Sequence, residues 1–133
     1  MLLQPTAPLR QPQHIKEAIG LFNEKSADSV VSVSEIPGHF SPYWAVVSDE
    51  QGSGSLFTGE HIRNRTPRRQ SFPKKTYYHN GAIYLFKPEL LFHKTGPSFY
   101  GDNVVIYPMA DKYSINIDSL DDWLLAERMM LKR

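Results

Sequence analysis

The order of apolar and polar positions predicts a strand, a helix and a second strand at the start of the chain. Met1–Leu3 is a short apolar run that soon meets Pro5, which is typical of a buried strand entering a loop. Across Gln13–Lys25, apolar residues recur at helical spacing behind Pro12, a residue favoured in the first turn of a helix. Ser29–Ser34 is β-branched and mostly apolar, so it is predicted to be a strand. A βαβ unit of this kind leads us to expect parallel pairing of its two strands.

The pattern changes between Pro37 and about Tyr78. This stretch is rich in proline, glycine, serine and aromatic residues, and it offers only two short strand candidates, Tyr43–Val47 and Ser55–Phe57. We interpret it as an excursion from the sheet that forms a small β-hairpin, within a single domain covering residues 1–133.

Regular structure is predicted again over the last third of the chain. The elements are two strands, a short helix and a longer amphipathic helix: Ala82–Phe86, Val104–Met109, Pro88–Lys94 and Leu120–Leu131. Asp118 or Ser119 is the expected N-cap of the last helix. Alternating strands and helices indicate the α/β class, and no glycine-rich phosphate-binding turn occurs in the sequence.

Composition limits the classes of function. Hydrophobic residues make up 41% and charged residues 22% of the chain, with no cysteine and a net charge of +1. The absence of cysteine excludes disulfides, zinc–thiolate sites and thiol nucleophiles. No apolar run approaches the length needed to span a bilayer, and the first residues lack the features of a signal peptide. We therefore expect a cytoplasmic protein that binds neither membranes nor nucleic acid.

One segment concentrates positive charge. Residues 61–75 contain six lysine or arginine residues and no acidic residue. Such a segment suits an anionic ligand, because an arginine can hold a carboxylate through two parallel hydrogen bonds. A solvated loop is the alternative for most of these residues. Aromatic neighbours such as Phe72 and Tyr78 would also allow a nucleic-acid surface, which the low net charge disfavours.

Several blocks of the sequence resemble the acylneuraminate cytidylyltransferase family in the same order. The first is Leu2–Arg10, similar to L-Q-P-T-[SA]-P-L-R. The second is Arg68–Pro73 followed by Asn80–Tyr84, similar to R-R-Q-x-[LF]-P and N-G-A-I-Y. The third is Ser114–Asp118 followed by Asp122–Glu127, similar to S-[IV]-[DN]-I-D and D-[WL]-x-x-A-E. Together they extend over essentially the whole chain.

The resemblance implies both a fold and a reaction. The expected fold is a mostly parallel, Rossmann-like nucleotide-diphospho-sugar transferase sheet with the hairpin excursion serving dimerisation. The implied enzyme is a homodimer that uses Mg²⁺ to join CMP from CTP to an acidic nine-carbon sugar, sialic or legionaminic acid, with release of pyrophosphate.

The resemblance also assigns roles to particular residues. Those expected to bind substrate are Gln4, Thr6, Arg10, Arg69, Tyr84, Phe99 and Tyr100. Arg69 would grip the sugar carboxylate across the dimer interface, and the three aromatic residues would line the sugar pocket. For Tyr84, core packing is nearly as good an explanation. No residue is assigned as a covalent catalyst.

The same comparison implies a metal position at Asn116 and Asp118. The two residues alternate along an extended segment and so point to one side, and Mg²⁺ takes hard oxygen ligands. Family members often carry two aspartates here. Because Asn116 is a neutral and weaker ligand, Asp118 is the stronger candidate.

One family feature is missing from the sequence. The family's CTP-binding loop, R-x-G-S-K-x-x-x-x-K-N, precedes the first block, and this chain starts at that block. We therefore expect a carboxy-terminal portion of the fold, truncated at its amino terminus and inactive alone. The alternative is a non-catalytic sugar-binding or dimerisation module.

Overall fold

A computed structural model describes residues 1–93 and 96–131. Its two α-helices are α1 (Pro12–Glu24) and α2 (Leu120–Leu131). Its strands are β1 (Ser29–Glu35), β2 (Val46–Ser48), β3 (Gly54–Leu56), β4 (Tyr77–Phe86) and β5 (Val104–Pro108). Among the described helices, none is long and apolar enough to cross a membrane.

The chain divides into two compact units. The first comprises Met1–Ser34 and Tyr78–Arg133, and the second is Glu35–Tyr77. The excursion expected at about 37–78 falls on the second unit.

The first unit is built on a sheet with the strand order β4-β1-β5. β1 and β5 pair in parallel, from Ser29 opposite Val104 to Val33 opposite Pro108. The predicted α/β class with parallel strands is therefore confirmed. Lys87 N, just beyond β4, donates to Asp28 O, just before β1, at 3.0 Å. β4 consequently runs antiparallel to β1, and the described part of the sheet is mixed.

The predicted parallel pairing between Met1–Leu3 and β1 is wrong. Leu2 instead forms an antiparallel bridge with Tyr84 of β4, with N···O distances of 2.7 and 3.0 Å. A strand has two edges, and those of β1 are taken by β4 and β5. The pattern identifies β1, whereas Met1–Leu3 forms an isolated bridge at Leu2 in place of the predicted strand. β4, from much later in the chain, lies between Leu2 and β1.

Helix α1 follows the predicted pattern with its bounds shifted by one residue. Pro12 occupies its first turn, and Gln11 N donates to His14 Nδ1 at 3.1 Å. Ala18 is fully buried and faces the hydrophobic core. Partly buried residues of the same helix, Ile15 and Phe22, pack against that core.

Helix α2 begins and ends where the sequence predicts. Its N-cap is Ser119, whose Oγ accepts from Asp122 N at 3.3 Å while the Asp122 carboxylate accepts from Ser119 N at 2.9 Å. This reciprocal pair is a capping box. Of the predicted apolar face, Leu120 and Trp123 are exposed, and only Ala126 of the helix is buried.

The region between β4 and β5 contains a short 3-10 helix, Pro88–Phe92. The predicted helix extended to Lys94, which lies outside the described residues.

The second unit contains the hairpin. β2 and β3 pair antiparallel, from Val46 opposite Leu56 to Ser48 opposite Gly54. Both predicted strand regions therefore contribute, although β2 is displaced toward the turn. Leu56 is buried, and Trp44 Nε1 donates to Thr66 O at 2.6 Å.

Candidate functional site

The backbone of the loop that follows Leu2 is hydrogen-bonded to neighbouring parts of the chain. Arg10 Nη1 donates to Gln4 O at 3.2 Å and to Ala82 O at 2.7 Å. Burial lowers the pKa of the Arg10 guanidinium from its usual value. Thr6 O accepts from Ile117 N at 2.8 Å, which ties the same loop to the segment before α2. These contacts hold the backbone of the loop, including that of Gln4, in a defined place.

Gly81 lies at the point where Gln4 and Asn116 meet. Its φ is +70°, in the left-handed region that favours glycine. A Cβ at this position would lie 2.3 Å from Gln4 Oε1 and 3.4 Å from Asn116 Oδ1. The glycine thus leaves room for two side-chain oxygens to approach one point from different parts of the chain.

Asn116 and Asp118 interact directly. Asn116 Nδ2 donates to Asp118 Oδ2 at 2.7 Å, so the two side chains point to one side as predicted. Asn116 Oδ1 is buried and has no hydrogen-bond partner among the residues that the structure describes. The part of the chain that the structure describes contains no group of three or more acidic, histidine or cysteine side chains able to hold a metal ion. Any cation here would therefore rely on amide as well as carboxylate oxygens.

Aromatic side chains gather beside β4. The ring centroids of Tyr84 and Phe99 are 5.8 Å apart, and those of Phe86 and Phe99 are 5.1 Å apart in a stacked arrangement. Tyr100 contacts His79 edge to face at 6.1 Å. Burial, and secondarily the nearby Tyr100, raises the pKa of Tyr84. The structure thus brings Tyr84 and Phe99 together, with Phe86 as a member that sequence reasoning missed.

A buried polar network centred on Asn80 supports this strand. Asn80 Oδ1 accepts from Ser32 Oγ at 2.6 Å, and Nδ2 donates to Ser34 Oγ and Ser114 Oγ, each at 3.2 Å. Asn80 is only 2% exposed. Ser32 Oγ also accepts from Ile83 N at 2.7 Å. The network joins β1, β4 and the segment before Asn116. The serines of the β1 run could have signalled it, because buried hydroxyls need partners.

Arg69 belongs to the second unit and lines a cleft of about 380 Å³. Lys74, Lys75 and Glu35 also line it, and Lys75 Nζ pairs with Glu35 at 2.9 Å. Within residues 1–93 and 96–131, the exposed Arg69 side chain has no hydrogen bond or ion pair. Its stem lies against Gly38, whose missing Cβ would be 2.4 Å from Arg69 Cδ. The basic side chains that line this cleft suit an anionic ligand.

Curated proteins of known activity match nearly the whole chain. It is 34% identical over 124 residues to N-acylneuraminate cytidylyltransferase of Streptococcus agalactiae serotype V, covering 93% of this chain and 28% of that protein. It is 32% identical over 137 residues to CMP-N,N'-diacetyllegionaminic acid synthase of Legionella pneumophila, covering 98% and 53%. N-acylneuraminate cytidylyltransferase A of Danio rerio is 32% identical over 132 residues, with 98% and 28% covered.

The matches cover nearly all of this chain but a much smaller share of each relative. The chain spans between about a quarter and about half of the length of these relatives. No protein-family model matches the chain.

Proposed function

The chain belongs to the acylneuraminate cytidylyltransferase family, and on that premise we propose that it forms the sugar-binding part and a share of the cation site of a CMP-sugar synthetase. The observation that carries this proposal is the meeting of Gln4 and Asn116 at Gly81, with Asp118 bonded to Asn116. The whole enzyme would act in the cytoplasm on CTP and an acidic nine-carbon sugar, on a Rossmann-like sheet.

The proposed reaction is attack by the anomeric hydroxyl of the sugar on the α-phosphate of CTP. The new bond joins that oxygen to phosphorus, and pyrophosphate leaves. Such transfers depend mainly on positioning and on stabilisation of phosphate charge. The residues of this chain would orient the sugar, while the triphosphate-binding loop is not part of this sequence.

Magnesium fits the oxygen donors of the site. Mg²⁺ requires hard oxygen ligands and binds proteins through few carboxylates, and Asp118 supplies a carboxylate. The buried, unpartnered Asn116 Oδ1 is a second oxygen in need of a positive partner. Asn116 and Asp118 would hold the ion, which when bound supplies neutralisation of phosphate charge.

The aromatic residues beside β4 would form the apolar wall of the sugar pocket. Tyr84 and Phe99 present ring faces, and the Tyr84 hydroxyl offers a polar group to a polyhydroxylated ligand. Gln4 can both donate and accept. Thr6, Arg10 and Tyr100 remain proposed neighbours of the ligand, Arg10 acting through the loop that it fastens.

A chimera provides the test of this function. Residues 1–133 would replace the matching segment of the Legionella pneumophila synthase, and pyrophosphate release would be measured with CTP, Mg²⁺ and either sialic or legionaminic acid. We expect turnover dependent on the acidic sugar. A folded chimera that binds CTP yet turns over neither sugar would instead support a non-catalytic sugar-binding or dimerisation module.

Within that chimera, Arg69→Ala should raise KM for the sugar and leave KM for CTP nearly unchanged. Loss of one charge-assisted hydrogen bond to a carboxylate weakens binding by roughly 1.5–3 kcal/mol, which is about ten- to a hundredfold in KM. Arg63→Ala is the matched control, because it removes the same charge from the same basic segment outside the cleft that Arg69 lines. Equal effects of the two variants would assign Arg69 to a solvated loop.

The second unit presents apolar side chains that suit a homodimer interface. Phe40 is 70% exposed and Phe57 is 65% exposed, and all three residues of β2 are exposed. We propose that this surface pairs with a second copy, since closed two-fold dimers are the commonest assemblies. Sedimentation equilibrium at micromolar concentration should give about twice the 15.2 kDa chain mass.

Substitution of the interface should dissociate this dimer. Phe57→Glu places a charge in a surface that must be desolvated on pairing, so the mass should fall toward one chain. Glu50→Gln, at an exposed position of the turn after β2, is the control and should leave the mass unchanged. A folded wild-type chain that sediments as a monomer would contradict the proposed assembly.

A further inference from the structure

The geometry around Gly81 indicates a further residue, Gln4, beside the site formed by Asn116 and Asp118. Gly81 is buried and has a φ of +70°. The position of its missing Cβ is 2.3 Å from Gln4 Oε1, 3.4 Å from Gln4 Cδ and 3.4 Å from Asn116 Oδ1. Any other residue would displace the Gln4 carboxamide from its present place, so the absence of a side chain at Gly81 allows Gln4 Oε1 and Asn116 Oδ1 to lie beside the same point.

The two oxygen atoms that lie beside Gly81 have the same polarity. Gln4 Oε1 and Asn116 Oδ1 are both amide oxygens, which accept hydrogen bonds and cannot donate them. Asn116 Oδ1 is buried with no donor, and a buried acceptor left unpaired destabilises the folded state. The Asp118 carboxylate accepts from Nδ2 of the same Asn116 carboxamide at 2.7 Å. Three oxygen-bearing side chains with no donor between the two amide oxygens suit a hard divalent cation.

We propose that Gln4 Oε1 is a ligand of the divalent cation, together with Asn116 Oδ1 and Asp118, and that Gly81 is the positioning residue of this site. The inference rests on the proposed function for the presence of a cation and extends its ligand set. Gln4 Nε2 stays available to donate to a sugar hydroxyl, so one carboxamide would connect the cation to the substrate.

A titration with Mn²⁺ tests the site on the 133-residue chain without CTP or sugar. Bound Mn²⁺ broadens the amide signals of residues near it in the NMR spectrum of the ¹⁵N-labelled protein. The signals of Gln4, Gly81 and Asn116 should broaden first, and excess Mg²⁺ should restore them. Broadening centred elsewhere, or none at millimolar Mn²⁺, would overturn the proposal.

Gly81→Ala tests the positioning role. It should weaken Mn²⁺ binding about tenfold or more, the range for disturbing residues that orient metal ligands. Gly52→Ala and Gly59→Ala are matched controls, since their φ values of +84° and +87° impose the same backbone strain while nothing lies within 4 Å of the added Cβ. They should leave the Mn²⁺ affinity unchanged. Equal weakening by all three substitutions would attribute the effect to backbone strain.

Two substitutions at Gln4 test the ligand role without altering Gly81. Gln4→Glu replaces an amide oxygen with a charged one and should tighten Mn²⁺ binding severalfold, whereas Gln4→Leu should weaken it. The hydrogen bonds of the Gln4 backbone oxygen to Ala7 and Arg10 do not involve the side chain. These variants decide the question even if Gly81→Ala does not fold. Unchanged affinity in both would remove Gln4 from the ligand set.

The result of the cation-binding experiments does not depend on whether the chimera is an active enzyme. Cation binding is read in the absence of both substrates, so an inactive chimera would leave the site intact. Conversely, Gln4 variants with unchanged Mn²⁺ affinity in an active chimera would overturn the ligand assignment alone.

Discussion

The isolated 133-residue chain is expected to release no pyrophosphate from CTP, whichever acidic sugar is supplied with Mg²⁺. Catalysis of phosphoryl transfer depends on holding the phosphates in place and stabilising their charge. The sequence contains neither a glycine-rich phosphate-binding turn nor the R-x-G-S-K-x-x-x-x-K-N loop that the family resemblance implies. Loss of phosphate positioning removes effects worth many orders of magnitude in rate. A pyrophosphate assay against an enzyme-free blank measures it.

The chimera with the Legionella pneumophila relative serves as the positive control, because it also contains the part of that relative outside the match. Isolated chain and chimera should be assayed at equal concentration in the same buffer. Turnover by the isolated chain above the blank would show that the R-x-G-S-K-x-x-x-x-K-N loop is dispensable for pyrophosphate release.

Asn80→Ala is expected to lower the free energy of unfolding by roughly 3 kcal/mol or more. The side chain bonds to three buried serines: Ser32, Ser34 and Ser114. Removing it takes the hydrogen bond to Asn80 from Ser34 Oγ and Ala82 N, while Ser32 Oγ and Ser114 Oγ keep bonds to the backbone. Each buried polar group left unsatisfied is destabilising by about 1–3 kcal/mol. It also leaves a cavity. Urea unfolding followed by circular dichroism measures the difference.

Asn23→Ala is the matched control, since Asn23 is an exposed asparagine in the last turn of α1. Exposed substitutions of this kind change stability by about 0.5 kcal/mol or less. If Asn80→Ala were as mild as Asn23→Ala, the Asn80 side chain would not contribute measurably to holding β4 against β1.

Sequence patterns were most informative where structure is local. Helical spacing behind Pro12 located α1 to within one residue, and the amphipathic spacing over Leu120–Leu131 located α2. These elements are determined by neighbours a few positions apart, through turn residues and caps. The choice between Asp118 and Ser119 as N-cap needed atomic positions, because both residue types cap helices.

Strand order could not be read from the chain in the same way. Met1–Leu3 and β1 looked like direct partners, yet β4 comes between them. Pairing across many residues is decided by how the faces pack. The exposure of apolar side chains on α2 could not be predicted either. An amphipathic pattern indicates an apolar face but does not indicate what covers that face.

The sequence by itself determined the family, the element types and the chemical identities of the candidate site residues, because ordered motifs and local periodicity are properties of the chain. Only the tertiary structure decided that side-chain oxygens of Gln4 and Asn116 lie beside Gly81, and that Asn80 bonds three serines. These contacts join residues far apart in sequence. Their geometry depends on strand register and on one left-handed glycine, which no spacing rule encodes.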